Sequence, residues 1–482
     1  MNFNSSLFLL YFLPAFFLVY FLLPGKTRNW FLLISSILFY SWGAPGFLPI
    51  LAISVIIDYF LLKEMQHREG TVRSMIFWIS AVMNIGLLLY FKYMNFFIDQ
   101  VNAGLGMFHI SPVRWFAIAL PIGISFITFQ KLACTFDIYR KAFPGFKCLA
   151  DYATYIFMFP QLLAGPIVRP GQIEYQIRER RDTSTIDHRL TGFIRFIIGL
   201  AKKILIADGL GIIVNSIFNL SPSELSSGVA WMGAITYSFQ IYFDFSGYSD
   251  MAIGLALMLG FKLPENFNSP YLSRSITEFW RRWHITLSLW LRDYIFLPLA
   301  YSVSRKLPEE KYAGIKTENL IYITATLVTF FLCGFWHGAG WNFIAWGVYQ
   351  GIFLIFDRLF LLRYLKKIGK VPAIMITFLF LTIGWVIFRS SIPGVFLGKM
   401  FLFKGGINDI LFHPKFWTVF TLAVIFSFWN MNKRIKKWVD RVYHAPSQTI
   451  LIGMTVLSIV LFFICEANIT GAEFSPFIYF RF

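Results

Sequence analysis

The stretch Asn319-Leu-Ile-Tyr-Ile-Thr-Ala-Thr-Leu-Val-Thr-Phe-Phe-Leu-Cys-Gly-Phe-Trp-His-Gly-Ala-Gly-Trp341 decides how this chain is read. Residues 319–336 carry no charged side chain and have the length that crosses the hydrocarbon core of a bilayer, about 17–25 residues. Immediately after them stands His337, between Trp336 and Trp341 and among glycines 334, 338 and 340. Hydrocarbon solvates an ionisable ring poorly, so an intramembrane histidine points to function. Glu278-Phe-Trp-Arg-Arg-Trp-His284 supplies a second histidine in similar surroundings. Neutral imidazole, with a reference pKa of about 6.5, takes up a proton near neutral pH. Two of them in apolar sequence suggest proton-transfer chemistry inside a membrane.

Working outward, the whole 482-residue chain has the same character: 57% hydrophobic, 20% aromatic and 14% charged, against about 25% charged in soluble domains. The expected fold is all-α: a polytopic integral membrane protein with about 11–15 membrane helices, some broken or re-entrant, forming one integral unit over residues 1–482. The net charge of +18 does not indicate nucleic acid, because Lys and Arg fall in short clusters between apolar runs. Lys26/Arg28, Lys63 to Arg73, Arg140 to Lys147, Arg178 to Arg195, Arg305 to Lys316, Arg363 to Lys370 and Lys433 to Arg441 form a positive-inside pattern. No positive charge precedes Leu7, so the first span reads as a retained helix entering from outside. Counting from either end then puts both termini on the extracytoplasmic face. The four cysteines are dispersed without metal-ligand spacing, which implies neither a disulfide framework nor a metal site.

Phe159-Pro-Gln-Leu-Leu-Ala-Gly-Pro166 and Leu332 to Gly340 are rich in Gly and Pro and are expected to be broken backbone, which a membrane tolerates only where protein or water satisfies it. Segments 227–245 and 249–261 read as two apolar runs, and 75–91 as another. The polar stretches Arg169 to Arg189, Arg305 to Lys316 and Lys433 to Arg441 read as solvated loops. Between Ser238 and Trp346 polar groups are densest within apolar sequence, Asp244, Asp250, Glu265, Asn266 and Arg292 among them.

Each motif has a functional and a structural reading. Glycines beside His337 permit a broken helix and the close approach of a ligand, whereas a purely structural histidine would hydrogen-bond a neighbouring helix. Phe279 to Asp293 matches a helix at the membrane–water interface. There Arg281 and Arg282 either bind lipid phosphate and carboxylates or receive a phosphorylated substrate. Asp244 and Asp250 are read as residues that hold helices together or orient neighbours. Cys333, four residues before His337, would share its face on an unbroken helix, but no basic group adjoins it to activate a thiol nucleophile.

Taken together, Pro121-Ile-Gly-Ile-Ser-Phe126, Phe159 to Arg169, Phe243-Asp-Phe-Ser-Gly-Tyr-Ser-Asp250, Asn266-Phe-Asn-Ser-Pro-Tyr271, Phe279 to Asp293, Gly334 to Trp341 and Gly384-Trp-Val-Ile-Phe-Arg389 resemble the membrane-bound O-acyltransferase (MBOAT) family. The similarity is to its bacterial branch containing the alginate O-acetyltransferase membrane subunit. The resemblance implies a bacterial inner-membrane enzyme in which a cytoplasmic acyl-thioester donor, acetyl-coenzyme A, meets an extracytoplasmic hydroxyl at a buried histidine. By motif that histidine is His337, with His284 as the second catalytic residue and Arg281, Arg282 and Trp336 as candidates for substrate binding. No tightly bound cofactor and no metal are expected; the partners implied are membrane lipid and either a polysaccharide or an SGNH-like acceptor protein. One departure is visible: where alginate-type members continue into Pro-Leu-Gly-Gly-Asn, this chain reads Pro298-Leu-Ala-Tyr-Ser-Val-Ser-Arg305, which leaves the acceptor open. D-alanyl transfer to teichoic acid from a carrier protein is the rival within the family. A proton-coupled transporter is the rival outside it, and no internal repeat supports that reading.

Overall fold

The computed structural model describes residues 1–180, 185–402, 413–444, 447–470 and 477. Apart from a hairpin pairing Lys311–Tyr312 with Ile315–Lys316, the described elements are helical. Among the described residues, six helices are long and apolar enough to cross a membrane: Pro45–His67, Gly70–Met107, Thr317–His337, Trp341–Lys367, Lys370–Arg389 and Gln448–Thr470. Leu7–Leu22 is a shorter apolar helix, and the remaining apolar runs are interrupted or carry buried charge. The chain divides into two compact units, one formed by Met1–Arg189 with Leu255–Pro264, the other by Leu190–Gly254 with Glu265–Phe482.

In the first unit the backbone of the proline-rich stretch is broken, as expected. Leu149–Phe157 ends at Met158, a four-residue helix Phe159–Leu162 follows, and helix resumes only at Pro170. Side chains satisfy the freed groups: Phe159 N–H donates to Ser36 Oγ at 3.1 Å and Tyr155 O–H to the Val168 carbonyl at 2.8 Å. The same unit holds a polar network that no motif announced. Asp58, fully buried, accepts from Ser80 at 2.6 Å, Asn84 at 3.0 Å and Tyr152 at 2.5 Å. Buried Lys131 donates to the Ser54 carbonyl and hydroxyl at 3.2 Å. Burying charge at such depth costs several kcal/mol unless hydrogen bonds compensate, and here they come from four helices.

In the second unit, the runs 227–245 and 249–261 prove to be largely one helix, Ser227–Met258, about 48 Å long at 1.5 Å per residue. Asp244 and Asp250 do not break it because both are paired. Lys203 reaches Asp244 at 2.6 Å and Asp208 at 2.7 Å; Asp250 receives Lys202 at 2.6 Å and Arg195 at 2.9 Å. The role given them from sequence, holding helices together, is what the geometry shows. Close approach makes these pairs possible: a Cβ at Gly199 would lie 2.5 Å from the Gly247 carbonyl, and one at Gly254 would lie 2.6 Å from that of Gly192. A seven-residue spacing of glycines on each helix thus draws the backbones together.

Three further expectations need correction in this unit. Phe279 to Asp293 is not one interfacial helix; it splits into Ile276–Trp280 and Ile285–Leu291. Lys433 to Arg441 is not a loop but most of a helix, Lys433–His444. Arg305 to Lys316, also read as a loop, closes the helix Leu297–Lys306 and forms the hairpin.

Candidate active site

His284 owes its position to the split of the Phe279 to Asp293 stretch. Ser275 caps the first short helix by accepting from Glu278 N–H at 3.1 Å, a contact worth about 1 kcal/mol. The chain then turns through Arg281–Trp283 and leaves His284 in the left-handed region, at φ 42° and ψ 53°, as the N-cap of Ile285–Leu291. Histidine is among the few residues besides glycine enriched there, at a modest cost in strain. The turn is locked from outside: Asn268 N–H donates to the Arg282 carbonyl at 2.9 Å and Ile285 N–H to the Asn266 carbonyl at 3.0 Å.

The side chain of Asn266 defines the state of the imidazole. Its Oδ1 receives Thr286 Oγ1 at 2.9 Å and the Thr286 backbone N–H at 3.3 Å, while its Nδ2 donates to Ser249 Oγ at 3.2 Å. A backbone N–H can only donate, so the Asn266 atom it meets is the oxygen. His284 Nδ1 lies 3.1 Å from that same oxygen, so it must carry the proton. The lone pair of the neutral ring is therefore on Nε2. The ring is fully buried, with the Phe245 edge packed at 4.6 Å between centroids and 88° between planes.

His337 is built differently. It is the last residue of Thr317–His337, which runs unbroken through Gly334 and ends only at Gly338. The interruption expected over residues 332–340 thus falls entirely after the histidine, and Cys333 lies one helical turn away on the same helix. The glycines also serve a different end from the one expected. A Cβ at Gly334 would clash with the Phe343 carbonyl and one at Gly338 with the Phe343 ring. They let Trp341–Phe356 pack hard against Thr317–His337 rather than opening room beside the ring. The 4%-exposed imidazole is instead enclosed by aromatics: Trp336 at 4.7 Å, Trp346 at 4.9 Å and nearly perpendicular, and Phe388 at 5.5 Å.

Buried Trp336 joins the two rings, its indole 6.4 Å from His284 and 4.7 Å from His337, both within the range of aromatic contact. The structure thus brings together three of the residues picked from sequence. Arg282 does not join them, being committed to Glu278 at 2.7 Å and to the Asn268 carbonyl at 3.2 Å. Arg281 stays exposed. Sequence reasoning assigned no role to Asn266, Phe245, Trp346 or Phe388; the Asn266-Phe-Asn motif was the available signal for the first. Among the described residues no group of three His, Cys, Asp or Glu side chains could hold a metal ion.

Two buried imidazoles contact one indole, and the comparison with known proteins decides the family. Residues 147–397 match the model of the membrane-bound O-acyltransferase family. The chain belongs to that family. It is 41% identical over 393 residues to the probable alginate O-acetylase AlgI of Azotobacter vinelandii, covering 81% of this chain and 75% of the relative. It is 35% identical to the peptidoglycan O-acetyltransferase of Helicobacter pylori, covering 81% and 77%. A teichoic acid D-alanyltransferase of Streptococcus thermophilus is more distant, 30% identical over 52% of this chain and 59% of its own length. The MBOAT membership and the six apolar spans make this a multi-pass membrane O-acyltransferase. The transporter reading falls.

Proposed function

We propose that this MBOAT protein moves an acetyl group from acetyl-coenzyme A on the cytoplasmic side to a hydroxyl presented from the extracytoplasmic side, for O-acetylation of an exported polysaccharide. The observation that carries the catalytic reading is the pair of buried imidazoles on Trp336, one of them with its proton assigned by Asn266. His337 acts as general base. As the acceptor oxygen bonds to the thioester carbonyl carbon, its proton passes to the imidazole; the C–S bond then breaks and the departing thiolate takes that proton back. Such catalysis contributes about 10²–10⁴-fold. His284, with Nδ1–H engaged and Nε2 bearing the lone pair, can only accept at Nε2, so it orients the substrate through a donor group other than the hydroxyl proton that His337 removes.

Exposed Arg281 suits the phosphates of the donor as a planar, permanently charged fork. The acetylating relatives cover most of this chain, whereas the D-alanyl relative covers about half, which favours acetyl over D-alanyl. An SGNH-like protein that accepts the acetyl group and passes it to the polymer is the acceptor we favour. Purified protein in nanodiscs, given radiolabelled acetyl-coenzyme A or a D-alanyl-charged carrier protein, should transfer label only from the first; transfer only from the second contradicts the reading.

The proposal also fixes a sidedness, with both termini outside and Lys433 to Arg441 inside. On a cysteine-free background, a membrane-impermeant thiol reagent should label a cysteine at Ser5 and not one at Ser447; the reverse pattern overturns the orientation. Ser475, the matching position near the C-terminus, lies outside the described residues.

A further inference from the structure

The helix Lys433–His444 follows the apolar helix Pro414–Phe428 and a short turn, and precedes Gln448–Thr470 by three residues. Its sequence, Lys-Arg-Ile-Lys-Lys-Trp-Val-Asp-Arg-Val-Tyr-His, sorts by helical period. Ile435, Trp438, Val439 and Val442 stand at i, i+3, i+4 and i+7 and form one apolar stripe. Lys433, Arg434, Lys436, Lys437 and Arg441 occupy the rest of the circumference with Asp440, five cations against one acid.

Among the described residues, protein covers only one end of the apolar stripe. Val442 is buried at 4% exposure, but Ile435 and Trp438 remain 37% and 48% exposed. An exposed tryptophan on the apolar side of a strongly basic helix, tethered within a few residues of a membrane span, has the composition of a helix lying in the plane of the membrane interface. The span that follows, Gln448–Thr470, has only 17% of its apolar window buried inside the protein. The described protein therefore leaves the segment after this helix largely uncovered.

We propose that Lys433–His444 is an interfacial helix that binds anionic phospholipid headgroups, with Ile435 and Trp438 inserted at the headgroup–acyl boundary and the five cations paired with lipid phosphates. Charge complementarity selects the occupant, since clustered Lys and Arg beside a span are drawn to an anionic leaflet. The site is independent of the catalytic reading. It has a mechanical consequence, because the helices on either side of it, Pro414–Phe428 and Gln448–Thr470, both pack on the turn Lys202–Ala207. That turn carries Lys203, the partner of Asp244. Lipid held by the basic helix steadies two braces of a buried ion pair.

The test uses full-length protein on a cysteine-free background, with Trp438→Cys carrying a bimane fluorophore and the protein reconstituted in phosphatidylcholine vesicles with increasing phosphatidylglycerol. Lipid-borne doxyl groups near the headgroup should quench the fluorophore and aqueous iodide should not. Neutralising all five cations (Lys433→Gln, Arg434→Gln, Lys436→Gln, Lys437→Gln, Arg441→Gln) should raise the phosphatidylglycerol fraction needed for half-maximal quenching by about tenfold or more. Quenching by iodide alone, or protection from both quenchers as under a protein partner, overturns the proposal. So does a phosphatidylglycerol dependence that is the same in both proteins. The depth measurement stands with the charges intact, so it remains decisive if the neutralised variant does not fold.

Discussion

His284 and His337 both contact the Trp336 indole, yet they are held by opposite means. His284 is fixed by hydrogen bonding, its Nδ1 on an oxygen that three donors share, in a backbone conformation few residues accept. His337 is fixed by packing, at the end of a helix pinned by glycine contacts and inside a cage of two tryptophans and a phenylalanine. A ring whose proton is assigned by a neighbour suits orientation. The other, enclosed by ring edges at the end of its helix, is the one proposed to take up the proton. The division of labour proposed for acyl transfer follows from that contrast.

The contrast breaks most completely if the packing is removed. Gly334→Leu forces a branched side chain against the Phe343 carbonyl and Gly347, so the two helices must separate. Overpacking with relaxation costs about 1–3 kcal/mol, and a backbone obstacle that cannot rotate away exceeds that range. The expected outcome is loss of the monodisperse peak in fluorescence-detected size-exclusion chromatography, while Gly334→Ala retains part of it. A Gly334→Leu protein that is folded and active would show that the glycine crossing does not set the His337 position.

A smaller effect is expected on the hydrogen-bonded side. Asn266→Leu removes the acceptor for His284 and Thr286 and leaves buried donors unpaired, at about 1–3 kcal/mol, which in rate terms is about 5- to 160-fold in kcat. The same substitution in a His284→Ala background should add little, because its effect passes through the imidazole. Fully additive losses would mean that Asn266 supports the fold and not the ring. Smallest of all is Cys333→Ala, expected within about twofold of wild type in transfer rate because the buried thiol packs beside Gly334 and does no chemistry. Loss of activity together with acyl label trapped on the wild-type thiol would instead make Cys333 a nucleophile and demote His337 to its base.

Much of this was legible in the sequence, because hydropathy is a one-dimensional signal and membrane helices obey it. Thr317–His337 and the broken stretch around Pro160 could be read from apolar length and Gly/Pro content alone. Long-range pairing could not. The apolar runs 227–245 and 249–261 were read as separate, whereas they are largely one helix whose Asp244 and Asp250 pair with Lys203, Lys202 and Arg195, contacts that no local signal announces. Asp58 was invisible for the same reason, its partners lying 22, 26 and 94 residues away. At the site, composition found both histidines and Trp336, but the glycines were credited with making space when they bring helices together. Asn266 stood among the polar residues of the right region; its role emerged from the turn that places it eighteen residues from His284.

The central claim is that His337 takes the acceptor proton, and the most direct measurement is the rate of label transfer from radiolabelled acetyl-coenzyme A by His337→Ala in nanodiscs, beside wild type at equal folded concentration. Alanine removes the base without adding polarity to the cage, so insertion and monodispersity should stay near normal while the rate falls by about 10²–10⁴-fold. A folded His337→Ala protein that keeps more than about a tenth of the wild-type rate would contradict the assignment.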